Sequence, residues 1–280
     1  MLAYRHAFHA GNHADVLKHT VLLQLLQHLQ QKEKGLRIVD THAGAGLYAL
    51  DGPEAQKKGE FHQGVGRLWD APAAPAAVAD YLQQVRALNP DGGLRQYPGS
   101  PWLAQAALRP QDQLCLFELH PAEQQALQAL LGGRRGIELR TQDGFAGLKA
   151  LLPPPTRRAL VLIDPSYEGH GDYGRVLQTV GDGLRRFAQG VFMVWYPIVR
   201  KPGTAALLQG LKALAPQGWL HAWLSVQPTD AQGFGLAGSG VLVINPPHTL
   251  HARLQDALPW LQQQLAQHDG ATHGLEQQAV

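Results

Sequence analysis

Cysteine is almost missing from this chain. Cys115 stands alone in the apolar run Leu114-Cys115-Leu116-Phe117, which excludes a disulfide framework and reads as a small buried hydrophobe in a reducing compartment. Missing too is any stretch near the roughly eighteen apolar residues of a membrane span, and Met1-Leu2-Ala3-Tyr4-Arg5-His6 has no apolar core of a secretory leader. Charge of one sign is also scarce, at +2 with 14 histidines counted neutral. A pI of about 8.7 allows an anionic partner without demanding one. The expectation is a soluble protein of the cytoplasm with no membrane partner.

What is present suits one sizeable α/β core: 280 residues, 45% of them hydrophobic. Short apolar, β-rich runs recur at Leu36 to Asp40, Leu114 to Glu118, Gly136 to Arg140, Ala159 to Ile163, Val191 to Trp195, Trp219 to Val226 and Gly240 to Asn245. Helical spacing fills the gaps, as at Asp15 to Gln31, Ala122 to Leu131, Tyr173 to Ala188 and Thr204 to Leu214. This alternation predicts a mostly parallel, seven-stranded sheet covered on both faces. Asn12, three residues before Asp15, predicts a helix N-cap with an acidic first turn. The Ala/Gln-rich tail after Leu265 is expected to fray. No internal repeat is present. From about residue 51 to 96 the composition is helical with no convincing strand, and Asp40 and Glu118 stand 78 positions apart. A simple nucleotide-binding unit needs only about 20 residues there, so a helical subdomain is expected to be inserted near the ligand edge, where it can help hold substrate.

Four strand ends carry chemistry. Val39-Asp40-Thr41-His42-Ala43-Gly44-Ala45-Gly46 follows the first strand, with glycines that let backbone approach a ligand. Alone, it is weak evidence and can also be only a tight strand-to-helix turn. Glu118 ends the second strand, where an acid can accept from ribose hydroxyls; alone it is a solvated strand end. Asp143 follows the third strand, placed to accept from an adenine amino group; alone it is an Asp-Gly turn. The fourth motif, Asp164-Pro165-Ser166-Tyr167 after a buried strand, suits amine methylation. The N6 lone pair of adenine is delocalised into the ring, so acceptors such as the Asp164 carboxylate and the Pro165 carbonyl are needed to hold the amino hydrogens. Tyr167 offers a face for a base flipped out of its stack, or simply packs in a turn.

These motifs, in this order, resemble class I methyltransferases of the N6-adenine type, whose fourth motif is usually Asp/Asn-Pro-Pro-aromatic. Tyr4-Arg5-His6, the Phe8 to His19 stretch, Asp40-Thr41-His42-Ala43-Gly44 and Trp195-Tyr196-Pro197 narrow the likeness. The chain resembles, over essentially its whole length, the RlmJ family of 23S ribosomal RNA adenine-N6 methyltransferases. That resemblance implies a single Rossmann-like class I domain over residues 1–280, S-adenosylmethionine as cofactor and 23S ribosomal RNA as partner. It implies Asp164 as the catalytic acceptor, beside Pro165 and Tyr167. His19, His42, Ser100, Glu118, Asp143 and Gly144, with Asp164, contact the cofactor, and Tyr4 contacts RNA. Two departures stand out: His42 replaces the general class's first glycine, as in the narrower family, and Ser166 replaces the second proline.

Three features have other readings. Asn245-Pro246-Pro247-His248 also follows a strand, but the last one, so it is read as a structural turn. His6, His9, His13 and His19 invite a metal site, yet no carboxylate or cysteine recurs at zinc spacing. No metal is expected, and a positively chargeable arm at the RNA entrance fits these histidines better, with Arg134-Arg135, Arg157-Arg158 and Arg185-Arg186 extending it or merely ending solvated helices. Two alternatives remain: methylation of another amine, such as guanine N2 or a protein amide, and a catalytically silent RNA-binding module.

Overall fold

The computed structural model describes residues 4–169, 171–200, 203–228 and 235–279. Asn12 caps the first helix, α1 (His13–Leu29), its side-chain oxygen accepting from the N–H groups of Ala14 and Asp15, both at 3.0 Å; the cap lies where the sequence places it and the helix starts two residues earlier than the apolar spacing predicts. Because α1 is buried on every side from His13 to Leu26, its Asp15, Lys18 and His19 must find partners inside the protein.

After β1 (Arg37–Asp40), the strand β2 (Leu47–Ala49) pairs antiparallel with β3 (Gln96–Pro98), Leu47 opposite Pro98. Between them lie α2 (Pro53–Lys58), α3 (Val65–Leu68) and α4 (Ala76–Ala87), so the interval read as helical from about 51 to 96 is helical and closed by a short hairpin. The buried Tyr81 of α4 donates its hydroxyl to that of Tyr97 in β3 at 3.0 Å. Then follow α5 (Ser100–Ala106), β4 (Gln113–Phe117), α6 (Pro121–Leu131), β5 (Ile137–Arg140), α7 (Gly144–Leu148), β6 (Ala159–Ile163), α8 (Asp172–Arg186), β7 (Val191–Ile198), α9 (Thr204–Leu214), β8 (Gly218–Ser225), β9 (Gly238–Ile244), α10 (Leu250–Leu265) and β10 (Thr272–Ala279).

The main sheet runs β10-β8-β9-β7-β6-β1-β4-β5. From β5 to β7 it is parallel; β9 runs antiparallel to both β7 and β8. Strand β6 shows why central strands read as unbroken apolar runs: Leu160 and Leu162 pack on the face carrying α1 and α10, while Val161 and Ile163 pack on the face carrying α8. Seven strands lie where the sequence places them. The eighth corrects the expectation of a frayed tail, because Thr272–Ala279 pairs antiparallel with β8 along its whole length, Thr272 opposite Ser225 through Ala279 opposite Gly218. An edge strand is held by main-chain bonds and needs no apolar run.

Candidate active site

In this sheet the connections turn opposite ways from β1, toward β4 on one side and β6 on the other. Open α/β sheets bind ligands outside the strand C-termini at such a point. A cavity of about 460 Å³ occupies it, lined by the ends of β1, β4 and β6 and rimmed by Tyr4, His6 and His9 from the N-terminal segment and Lys58 and Glu60 from the helical interval.

Along one side of the cavity the sequence motifs converge. Glu118 bends back at the end of β4, and its two oxygens take the backbone N–H of Gly44 at 2.7 Å and of His120 at 2.6 Å. Each oxygen therefore keeps one acceptor site for a ligand rather than two. Gly44 has a left-handed φ of 65°, and a Cβ there would collide with the Tyr48 hydroxyl. A Cβ on Gly144 would collide with the Thr41 carbonyl oxygen, so two loops meet at a separation only glycine allows. Asp143 caps α7 through Phe145 N–H at 2.9 Å and pairs with Arg175, whose guanidinium carbon sits 4.4 Å from the Phe145 ring centre. The His42 ring meets Phe145 edge-on at 4.7 Å, and burial lowers its pKa to about 4. Ser100 donates to Asp40 at 2.6 Å; burial raises the Asp40 pKa to about 6, against that hydrogen bond. His19 bonds the Tyr97 hydroxyl through Nδ1 at 2.9 Å, while its buried Nε2 has no protein partner among the described residues. An orphaned polar atom lining a cavity is the mark of a missing ligand. Glycine-cradled backbone, spare carboxylate lone pairs and this imidazole suit a nucleoside with an amino-acid tail.

On the other side Asp164 and Pro165 follow β6. The Asp164 carboxylate accepts from the Lys18 ammonium at 2.6 Å, and Lys18 also pairs with Asp15 at 2.9 Å. Burial opposes the charge on Lys18, but the two carboxylates win and raise its pKa. Asp15 takes the same balance the other way: burial raises its pKa, His6 and Lys18 more than reverse it, and it ends well below the usual carboxylate range. Its second oxygen meets His6 Nε2 at 2.8 Å, and His6 Nδ1 meets the Tyr4 hydroxyl at 2.9 Å. A polar chain thus runs from Tyr4 through His6, Asp15 and Lys18 to Asp164. Tyr167 holds a left-handed φ of 54°, donates its hydroxyl to the Trp195 carbonyl at 2.7 Å and packs against Tyr173 at 4.7 Å. Its ring is only 4% exposed, so it lines the cavity by an edge rather than presenting an open face. Ser166 is exposed between the buried Pro165 and Tyr167.

Asp15 and Lys18 are the residues that sequence reading missed. Their one signal is an oppositely charged pair at i, i+3 within a helix whose leucines and valines fall on every face although His19, Thr20 and Gln24 interrupt them, which calls for an internal partner. Two sequence expectations need correction. The histidines do not form one charged arm: His6 binds Asp15 and His9 binds Glu60 at 2.9 Å, whereas His13 and His19 are buried and pushed by that burial to pKa values of about 4 and 3, hence neutral. Nor do the arginine pairs extend the entrance. Arg134-Arg135, Arg157-Arg158 and Arg185-Arg186 precede β5, β6 and β7, at the opposite edge of the sheet from the cavity. The Asn245-Pro246 turn lies at that far edge as well, Asn245 donating to the Ala188 and Gly190 carbonyls.

Five parallel strands, an antiparallel β9 slotted between β7 and β8, and a crevice built to hold a nucleoside beside an Asp-Pro turn define a class I S-adenosylmethionine-dependent methyltransferase. Among the described residues no helix is long and apolar enough to cross a membrane. The family model described as "Ribosomal RNA large subunit methyltransferase D, RlmJ" matches residues 33–275, and the chain belongs to this family. It is 44% identical over 262 residues to the ribosomal RNA large subunit methyltransferase J of Haemophilus influenzae, covering 93% of each chain. To that of Escherichia coli it is 43% identical over 265 residues, covering 95% of this chain and 94% of the other. A crystal structure of a Legionella pneumophila protein superposes with a TM-score of 0.88 at 33% identity, covering 96% of this chain and 98% of that one.

Proposed function

We propose that the protein methylates the N6 amino group of an adenine in 23S ribosomal RNA, in the cytoplasm. The observation that carries this reading is the placement of Asp164 and Pro165 in one cavity with the glycine-cradled side, so that acceptors for an exocyclic amine face a nucleoside-shaped site. S-adenosylmethionine supplies an electrophilic methyl group. Glu118 and Asp143 are assigned to its ribose and adenine, and His19, His42, Ser100 and Gly144 to the surrounding contacts. The free Asp164 oxygen and the Pro165 carbonyl accept the amino hydrogens, draw the nitrogen lone pair out of conjugation and stabilise the positive charge that grows on N6 as it attacks. N6 then loses one proton to solvent, and the neutral thioether S-adenosylhomocysteine is released. Lys18 anchors the other Asp164 oxygen, so the carboxylate need not reorganise during the reaction. Tyr167 and Trp195 border the base, and Tyr4 meets the RNA at the rim. Lys58 and Glu60, at the mouth of the cavity, give the helical interval a place beside the substrate.

Asp164→Ala tests the chemistry. Single-turnover methyl transfer to ribosomal RNA should fall by about 10²–10³ or more, while calorimetric affinity for the cofactor changes far less. Nucleoside mass spectrometry on wild-type product should show N6-methyladenine. Methylated guanine would overturn the substrate assignment, and near-normal transfer by the variant would overturn the role of Asp164.

A further inference from the structure

Three of the cations around the cavity are spent on partners, Arg5 on Glu54 and Glu123, Lys18 on Asp15 and Asp164, and Arg175 on Asp143, which leaves Lys58 and Arg200 without an ion pair among the described residues. At the opposite edge of the sheet the balance reverses. The segments that lead into β1, β5, β6 and β7 carry Lys32, Lys34, Arg134, Arg135, Arg157 and Arg186, all exposed. None has an ion-pair partner among the described residues. The acids near these segments are few: Asp112 is taken by Arg109, Asp182 by Arg185 and Glu138 by Arg140 and Arg37, leaving Glu33.

Compensation of helix dipoles accounts for only part of this. That effect fades within about the last turn of a helix. Arg186 ends α8, but Lys34 lies five residues beyond α1, Arg135 four beyond α6, and Arg157 in a loop six beyond the short helical turn that ends at Leu151. An open hollow of about 270 Å³ lies among them, between the end of α1 and the starts of β6 and β7, lined by His28, Lys32, Arg157, Arg158 and Gln189. Arg158 donates to the carbonyls of Leu29 and Lys34, fixing the Lys32–Lys34 loop beside this hollow. Arg157, at a left-handed φ of 56°, lies with its guanidinium carbon 5.9 Å from the Phe187 ring centre. Burial lowers the His28 pKa, and so do the neighbouring His248, Lys32 and Arg158, as expected where the local potential is positive.

We infer that this edge is a second RNA-binding surface, one that holds the phosphodiester backbone of a stretch of ribosomal RNA away from the methylated adenine. The cations are spread across the starts of strands from β7 to β5, five neighbours in the sheet. At about 4.8 Å per strand they span roughly 19 Å, too far for a single small anion and suited to a polyanion. The length of β6, five residues, separates them from the cavity by roughly 17 Å, so a base in the cavity and phosphates here belong to different parts of the RNA. The inference rests on RNA being the substrate.

The test is the variant Lys32→Gln/Arg134→Gln/Arg157→Gln/Arg186→Gln, compared with wild type on full-length 23S ribosomal RNA and on the shortest fragment that wild type still methylates. On full-length RNA, kcat/KM should drop tenfold or more, and the slope of log affinity against log salt should flatten by about 0.7–0.9 for each phosphate that the variant no longer neutralises. On the short fragment kcat/KM should stay unchanged, as should calorimetric cofactor affinity. Unchanged behaviour on full-length RNA overturns the surface, as does an equal loss on both RNAs. A wild-type protein that methylates no RNA of any length overturns both this surface and the function it rests on.

Discussion

The buried ammonium of Lys18 joins two carboxylates that have no other lysine or arginine partner among the described residues. It lies between Asp15 and Asp164, and the side chain is only 6% exposed. Removing one member of a buried ionic group costs more than the group contributes, since the remaining charges are left without compensation. Lys18→Met keeps the apolar stem and leaves two carboxylates facing one another. Denaturant unfolding at neutral pH should show a loss of about 3–5 kcal/mol. The same variant should slow methyl transfer, because Asp164 loses its anchor. An unchanged unfolding midpoint would mean that Asp15 and Asp164 do not need the cation. The residue type alone does not mark Lys18, since a lysine is ordinarily a solvated side chain; only its i, i+3 spacing from Asp15 hints at a buried pair. Glu118, Asp143 and Asp164 could be placed at one cavity from the sequence because each stands at or just beyond the C-terminal end of a strand, and backbone topology alone brings strand ends together.

Among the elements, the central strands and the C-terminal one are held by different forces. β6 is buried at every residue and announces itself by hydrophobicity, whereas β10 is written in threonine, glutamine and glutamate, and its pairing with β8 leaves no apolar signature. The hairpin of β2 and β3 is equally silent, being three residues on each side, too short for any periodicity. β10 does carry one tightly specified position. Gly274 lies opposite Trp223, and a Cβ there would overlap the indole ring. Gly274→Ala should therefore destabilise by about 1–3 kcal/mol, lowering the thermal midpoint while leaving the cavity's residues in place. A wild-type midpoint in this variant would show that the C-terminal strand contributes little to the fold.

For the molecule as a whole, the many histidines make it acid-sensitive through the ones that do not bind protons. Burial drives the pKa values of His13, His19, His42 and His221 from 6.5 to about 4, 3, 4 and 4. The unfolded chain takes up a proton on each near pH 6.5 and the folded chain does not. Their contribution is therefore complete above about pH 6.5 and is lost as pH falls toward 4. At pH 5 the loss is about 2 kcal/mol for each as an upper figure. Asp40 acts in the other direction. Its pKa is raised to about 6 by burial, so the folded state holds a proton more tightly than the unfolded chain and acidification returns about 1 kcal/mol between pH 7.5 and 5. The histidines outnumber it, and stability should drop by several kcal/mol over that interval. Urea midpoints at pH 7.5, 6 and 5 would trace the fall. His221→Gln, which leaves the cavity untouched, should flatten the slope by roughly a quarter, in proportion to the buried imidazoles removed. A midpoint that does not move between pH 7.5 and 5 would mean that these rings take up protons in the folded state, and that they are not held neutral by burial.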